Sequence, residues 1–232
     1  MPSISWAGYR SECFSEMLGT FLLVFIGPGS VVVASLLLPV SSIEALTFVA
    51  AVFGCTVGSI IFVLGRYSGA HVNPAITVAS VLAGAIRREL FIPYLLFQVA
   101  GGLLAGLSLL LVFRTFQSSA SLGSTKLAAG ITPLEGVALE AVGTFMLATS
   151  ALAASSFMKS PAKQAALVGG TLFVLIMLIG PLTGASFNPV RSLGPSVFSD
   201  YFSGQIIYLV GPLLGACCAG LIFGMVRKSL AR

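Results

Sequence analysis

Apolar residues dominate six segments of the chain, at about 11–38, 43–65, 89–114, 133–157, 162–182 and 205–227. Each is long enough to cross a hydrocarbon core of ~30 Å, which takes about 20 helical residues. Two further apolar runs are too short. The run from Pro74 to Ile86 is closed by Arg87-Arg88, and at ~1.5 Å per residue it reaches roughly 20 Å. Such a segment enters a bilayer without crossing it, and the run after Pro189 reads the same way. Both begin alike. Ser68-Gly69-Ala70-His71-Val72-Asn73-Pro74 and Thr183-Gly184-Ala185-Ser186-Phe187-Asn188-Pro189 are small-residue turns ending in Asn-Pro. Asn is a strong N-cap, and Pro suits the first helical position, where its missing N–H costs nothing. The pattern predicts an all-α membrane protein of six transmembrane helices and two re-entrant half-helices, one between spans two and three, the other between spans five and six. Gly27-Pro28-Gly29 inside the first span predicts a kink, which neighbouring helices make tolerable in a membrane.

Composition agrees: 57% of residues are hydrophobic and 8% charged, against ~25% charged in soluble domains. The formal net charge of +5 does not point to nucleic acid, because the bases are scattered over short connectors. Six spans put Arg10, Arg66, Arg87, Arg88, Lys159, Lys163, Arg227, Lys228 and Arg232 on one side and only Arg114, Lys126 and Arg191 on the other. That bias predicts a multi-pass protein of the cell membrane with both termini in the cytoplasm. No cleavable signal is evident, so the first span itself is expected to direct insertion. Cys13, Cys55, Cys217 and Cys218 lie in apolar segments without metal-ligand spacing and read as buried thiols. No metal or cofactor is expected.

The chain repeats itself. Glu16-Met17-Leu18-Gly19-Thr20-Phe21 matches Glu140-Ala141-Val142-Gly143-Thr144-Phe145, and Gly101-Gly102-Leu103-Leu104 matches Gly211-Pro212-Leu213-Leu214. The chain therefore divides into one repeat at about 11–114, a Ser- and Gly-rich linker at about 115–132, and a second repeat at about 133–227, all within a single transmembrane domain covering 1–232. Three spans per repeat is an odd number, so the second is inverted relative to the first. Inverted repeats with broken helices place a site at the bilayer midplane. There the two half-helix N-termini, each carrying roughly +0.5 charge, repel cations. Asn73 and Asn188 can cap backbone N–H groups through their carbonyl oxygens while their NH₂ groups donate into a lumen.

With two Asn-Pro boxes in matching contexts, the sequence resembles the aquaporin (major intrinsic protein) family over nearly its whole length. The first box, Asn73-Pro74-Ala75, is intact. The second, Asn188-Pro189-Val190, has Val in place of Ala but keeps the following Arg191. Gly27-Pro28-Gly29 and Leu64-Gly65-Arg66 look most like the archaeal-type members. The resemblance implies a selectivity filter of Phe53, Ile176, Ala185 and Arg191. It also implies lumen-lining backbone carbonyls at Gly69, Ala70, His71, Gly184, Ala185 and Ser186. Glu16 and Glu140 become structural acids that accept hydrogen bonds from the re-entrant loops, and the expected assembly is a homotetramer in a lipid bilayer. Ile176 stands where water-selective members usually have His, and the Trp–Gly pairing of glycerol channels is absent. Ser192 and Tyr208 depart from the glycerol channels, whereas Leu209 departs from the water channels.

The function implied is a passive channel for water and small neutral solutes that excludes ions and protons. A glycerol or dissolved-gas facilitator is the alternative within the family. An ion-coupled transporter would need an acid at the midplane, which the motifs do not supply. An intramembrane enzyme would need more than one His without a partner acid beside it.

Overall fold

The structure is a computed structural model that describes residues 9–39, 41–116, 121–199, 201–202 and 204–230; Arg232 and residues 117–120 of the predicted linker lie outside them. Among the described residues there are eight α-helices: α1 (Arg10–Leu37), α2 (Ile43–Ser68), α3 (Pro74–Leu82), α4 (Phe91–Phe113), α5 (Pro133–Phe157), α6 (Pro161–Thr183), α7 (Pro189–Phe198) and α8 (Gln205–Leu230). All but α3 and α7 are long and apolar enough to cross a membrane.

The helix ends follow from local chemistry. Ser42 Oγ accepts from Ala45 N–H at the start of α2, and Thr132 with Glu135 forms a capping box at the start of α5. α2 and α6 both stop at a left-handed glycine, Gly69 and Gly184, whose N–H donates to the carbonyl four residues back. A left-handed Gly just past a helix is the commonest way to satisfy its last carbonyls.

Two details differ from expectation. α3 ends at Leu82 rather than Ile86, because the chain turns at Gly84 with φ +65° and the N–H groups of residues 83–85 bond back to Ala79, Val81 and Ser80. Cys13 is buried, but Cys55 and Cys218 are exposed on the outer face of the helices, a face that in an apolar bilayer carries no penalty for a thiol.

The helices pack as two like triplets. α1 lies against α2 and α4, and α5 lies against α6 and α8. α2 and α6 close the seam between them, with backbones so near that a Cβ on Gly54 would stand 2.7 Å from the Gly169 carbonyl oxygen, and one on Gly169 2.5 Å from that of Gly54. The half-helices are exchanged: α3 packs mainly on α8 and α7 on α4.

Candidate functional site

The two loops before the half-helices have the same backbone. Gly69, Ala70 and Val72 take φ +85°, +50° and +44°, and Gly184, Ala185 and Phe187 take +80°, +46° and +53°. Left-handed φ at non-glycine residues costs energy, most for a β-branched side chain such as Val72. Buried acids hold both loops in that shape. Glu16 accepts from Ser68 Oγ (2.7 Å), His71 N–H (2.9 Å) and Val72 N–H (2.6 Å). Glu140 accepts from Thr183 Oγ1 (2.6 Å), Ser186 N–H (3.0 Å) and Phe187 N–H (2.7 Å). Tyr94 and Tyr208 donate to the Ser68 and Thr183 carbonyls. Each loop thus turns its N–H groups to the acid of its own half.

One difference separates the halves. Gln98 Nε2 donates to Glu16 Oε2 (2.7 Å) and Thr77 Oγ1 (2.9 Å). In the matching register the second half has Tyr208, and Ser192, the counterpart of Thr77, instead pairs with Ser186 and Thr125 hydroxyls. His71 sits edge-on to Tyr94, its Nδ1 3.2 Å from Thr77 Oγ1.

The two Asn residues tie the halves together. Asn73 Oδ1 accepts from Ala75 N–H and Asn188 Oδ1 from Val190 and Arg191 N–H, so both cap their helices. Their amides cross between halves: Asn73 Nδ2 donates to the Phe187 carbonyl (2.8 Å) and Asn188 Nδ2 to the Val72 carbonyl (2.9 Å). An amide has two N–H donors, so each Asn keeps a second one.

Two cavities adjoin here. The first, about 200 Å³, runs from Ala85 and Ile86 past Asn73 and Asn188 to Arg191. Gly69, Ala70, His71, Ala185 and Ser186 line it together with apolar Leu23, Val57, Leu147, Val168 and Leu172. The second, about 380 Å³, is lined by Ser42, Leu46, Ile176, Gly180 and Gly184. Phe53, Ala185 and Arg191 line both and form the throat between them. Ile176 faces the second cavity only. Pro74, Ala75, Pro189 and Val190 line neither; Val190 packs where a Cβ on Gly102 would lie.

Arg191 is only 3% exposed. Its Nη1 donates to the Gly123 carbonyl (2.8 Å), its guanidinium carbon lies 5.0 Å from the Phe53 ring centroid, and its Nε has no protein partner. The connector carrying Gly123 is therefore more than a linker. It folds inward, with Thr125 on Ser192 and Ala128 N–H on the Leu182 carbonyl. Gln98, Tyr94 and Gly123 are the residues that sequence reasoning missed. Among the described residues no cluster of three His, Cys, Asp or Glu could hold a metal ion.

Known proteins share this architecture. Residues 3–223 match the family model described as Major intrinsic protein. The chain is 34% identical over 220 residues to Aquaporin NIP1-2 of Oryza sativa subsp. japonica, covering 92% of this chain and 70% of that protein. It is 30% identical over 235 residues to Probable aquaporin AqpM of Archaeoglobus fulgidus, covering 92% and 96%. The X-ray structure of the aquaglyceroporin from Plasmodium falciparum has the same fold, with a TM-score of 0.81 at 22% identity over 96% of this chain and 97% of that one. Plant and archaeal proteins both match, so the archaeal-type pattern in the motifs is not singled out. The chain belongs to the major intrinsic protein family: it is a six-span membrane channel for water or small neutral solutes, and not an enzyme.

Proposed function

We infer that this channel conducts water well, passes glycerol more slowly, and excludes ions and protons. The observation that carries this reading is the reciprocal bonding of the Asn73 amide to the Phe187 carbonyl and of the Asn188 amide to the Val72 carbonyl, with both Asn residues at the N-termini of their half-helices and on the lining of one cavity. A water molecule that accepts from both amides has its own protons pointing outward, which breaks a proton relay at the centre. The carbonyls of Gly69, Ala70, His71, Gly184, Ala185 and Ser186 serve as acceptors along the way. Glu16 and Glu140 are scaffolding, spent on their loops.

The filter is Phe53, Ile176, Ala185 and Arg191. Arg191 supplies its only side-chain donors, and its charge opposes cations at a second point. Among the described residues no acidic side chain lines either cavity, which counts against an ion-coupled carrier. The apolar wall of the first cavity favours a second reading, a facilitator whose main cargo is glycerol or a dissolved gas. The cell membrane, cytoplasmic termini and a homotetramer complete the proposal, supported by the distribution of basic residues and by the family. Stopped-flow light scattering on proteoliposomes, comparing water, glycerol and urea, tests it. Water flux well above glycerol flux is expected; glycerol outpacing water would install the second reading.

A further inference from the structure

We propose that Gly27 and Pro28 of α1 set the aperture of the throat, because both of its large walls rest on these two adjacent residues. This builds on the reading of Phe53, Ala185 and Arg191 as the constriction. Gly27 meets Phe53: a Cβ built on it would stand 2.5 Å from the ring's Cζ and 2.8 Å from its Cδ1, with Cε1 nearer still. No real Cβ tolerates such contacts, so the ring lies directly on bare backbone of α1. Gly is a poor helix former, and at position 27 the seat of the ring is what requires it.

The other wall reaches the same place by another route. Gly123 takes φ +74°, and a Cβ on it would stand 2.8 Å from Cα and from the carbonyl carbon of Pro28. The Gly123 carbonyl in turn accepts from Arg191 Nη1 (2.8 Å). One line of contact runs from Gly27 to the Phe53 ring, the other from Pro28 through Gly123 to the guanidinium. Pro28 has its φ fixed by its ring, which makes this point of α1 a stiff reference. The distance between the two walls is then set by α1, and Gly27 and Pro28 act as positioning residues without lining the throat.

Gly29 provides a control two residues along the same helix. A Cβ there would lie 3.5 Å from Leu109 Cδ2 and 3.7 Å from Phe113, which is ordinary contact.

Water and glycerol fluxes are measured in proteoliposomes at equal protein density for Gly27→Ala, Gly29→Ala, Phe53→Leu and the double variant Gly27→Ala/Phe53→Leu. In Gly27→Ala the ring is pushed toward Arg191. Glycerol flux is expected to fall about tenfold and water flux about threefold, within the range for one methyl group of overpacking. Phe53→Leu raises the glycerol-to-water ratio, the double variant matches Phe53→Leu, and Gly29→Ala behaves as the parent. If Phe53→Leu leaves the ratio unchanged, the constriction reading fails and takes the proposal with it. If Phe53→Leu shifts the ratio while Gly27→Ala does nothing, or Gly29→Ala does equal harm, the constriction stands and the role of Gly27 is refuted. Should Gly27→Ala fail to reconstitute, the double variant decides: its recovery supports the contact with Phe53, and its loss overturns it.

Discussion

In the second cavity Ile176 presents a branched alkyl group to the space that Arg191 also faces. Arg191, Ser35, Ser41 and Ser42 are the polar side chains of that lining, and Ile176 offers a solute no hydrogen bond there. Ile176→His replaces the alkyl group with a longer, polar ring, and is expected to lower the glycerol-to-water flux ratio by roughly tenfold, the worth of one hydrogen bond. An unchanged ratio would remove Ile176 from the filter. Arg191→Val acts in the opposite sense. It widens the throat, removes its charge and leaves the Gly123 carbonyl without its donor, so urea and glycerol fluxes should rise and a proton leak should become measurable with a pH-sensitive dye. Unaltered urea and glycerol permeability would mean that Arg191 does not line the path.

The half-helices α3 and α7 show what the departure from the usual second box does. Val190 lines neither cavity and fills the space beside Gly102 on α4. Val190→Ala should therefore leave water flux unchanged and lower thermal stability in detergent, by about 1 kcal/mol for the methyl groups lost from a tight site. A changed water flux at full stability would place Val190 in the path instead. The six spans and both half-helices were legible in the sequence because bilayer thickness fixes the length of an apolar run, and because Asn-Pro marks a helix start. Where α3 ends was misjudged: Gly84 supplies the left-handed turn, and the Arg87-Arg88 pair was the wrong boundary. Gly123 could not be read at all, since a glycine in a Ser- and Gly-rich connector carries no period and no repeat partner. Gln98 was visible as a polar residue in an apolar span, but its register partner is Tyr208, so the duplication gave no pointer to it.

For the molecule as a whole, the expectation is transport without coupling. In sealed proteoliposomes neither a proton nor a sodium gradient should concentrate glycerol; accumulation against its own gradient would replace the channel with a carrier. The exchange of α3 onto α8 and of α7 onto α4 also bears on how the chain is made. Synthesis runs from the N-terminus, so α1 to α4 leave the ribosome while α8, the main support of α3, does not yet exist. Asn73 at that moment lacks the Phe187 carbonyl its amide will reach, while Glu16, Tyr94 and Gln98 of the first half can already hold the first loop. The contacts of the first re-entrant segment with the second half therefore close only after the final span has been translated. The midplane is complete only once both halves of the chain exist.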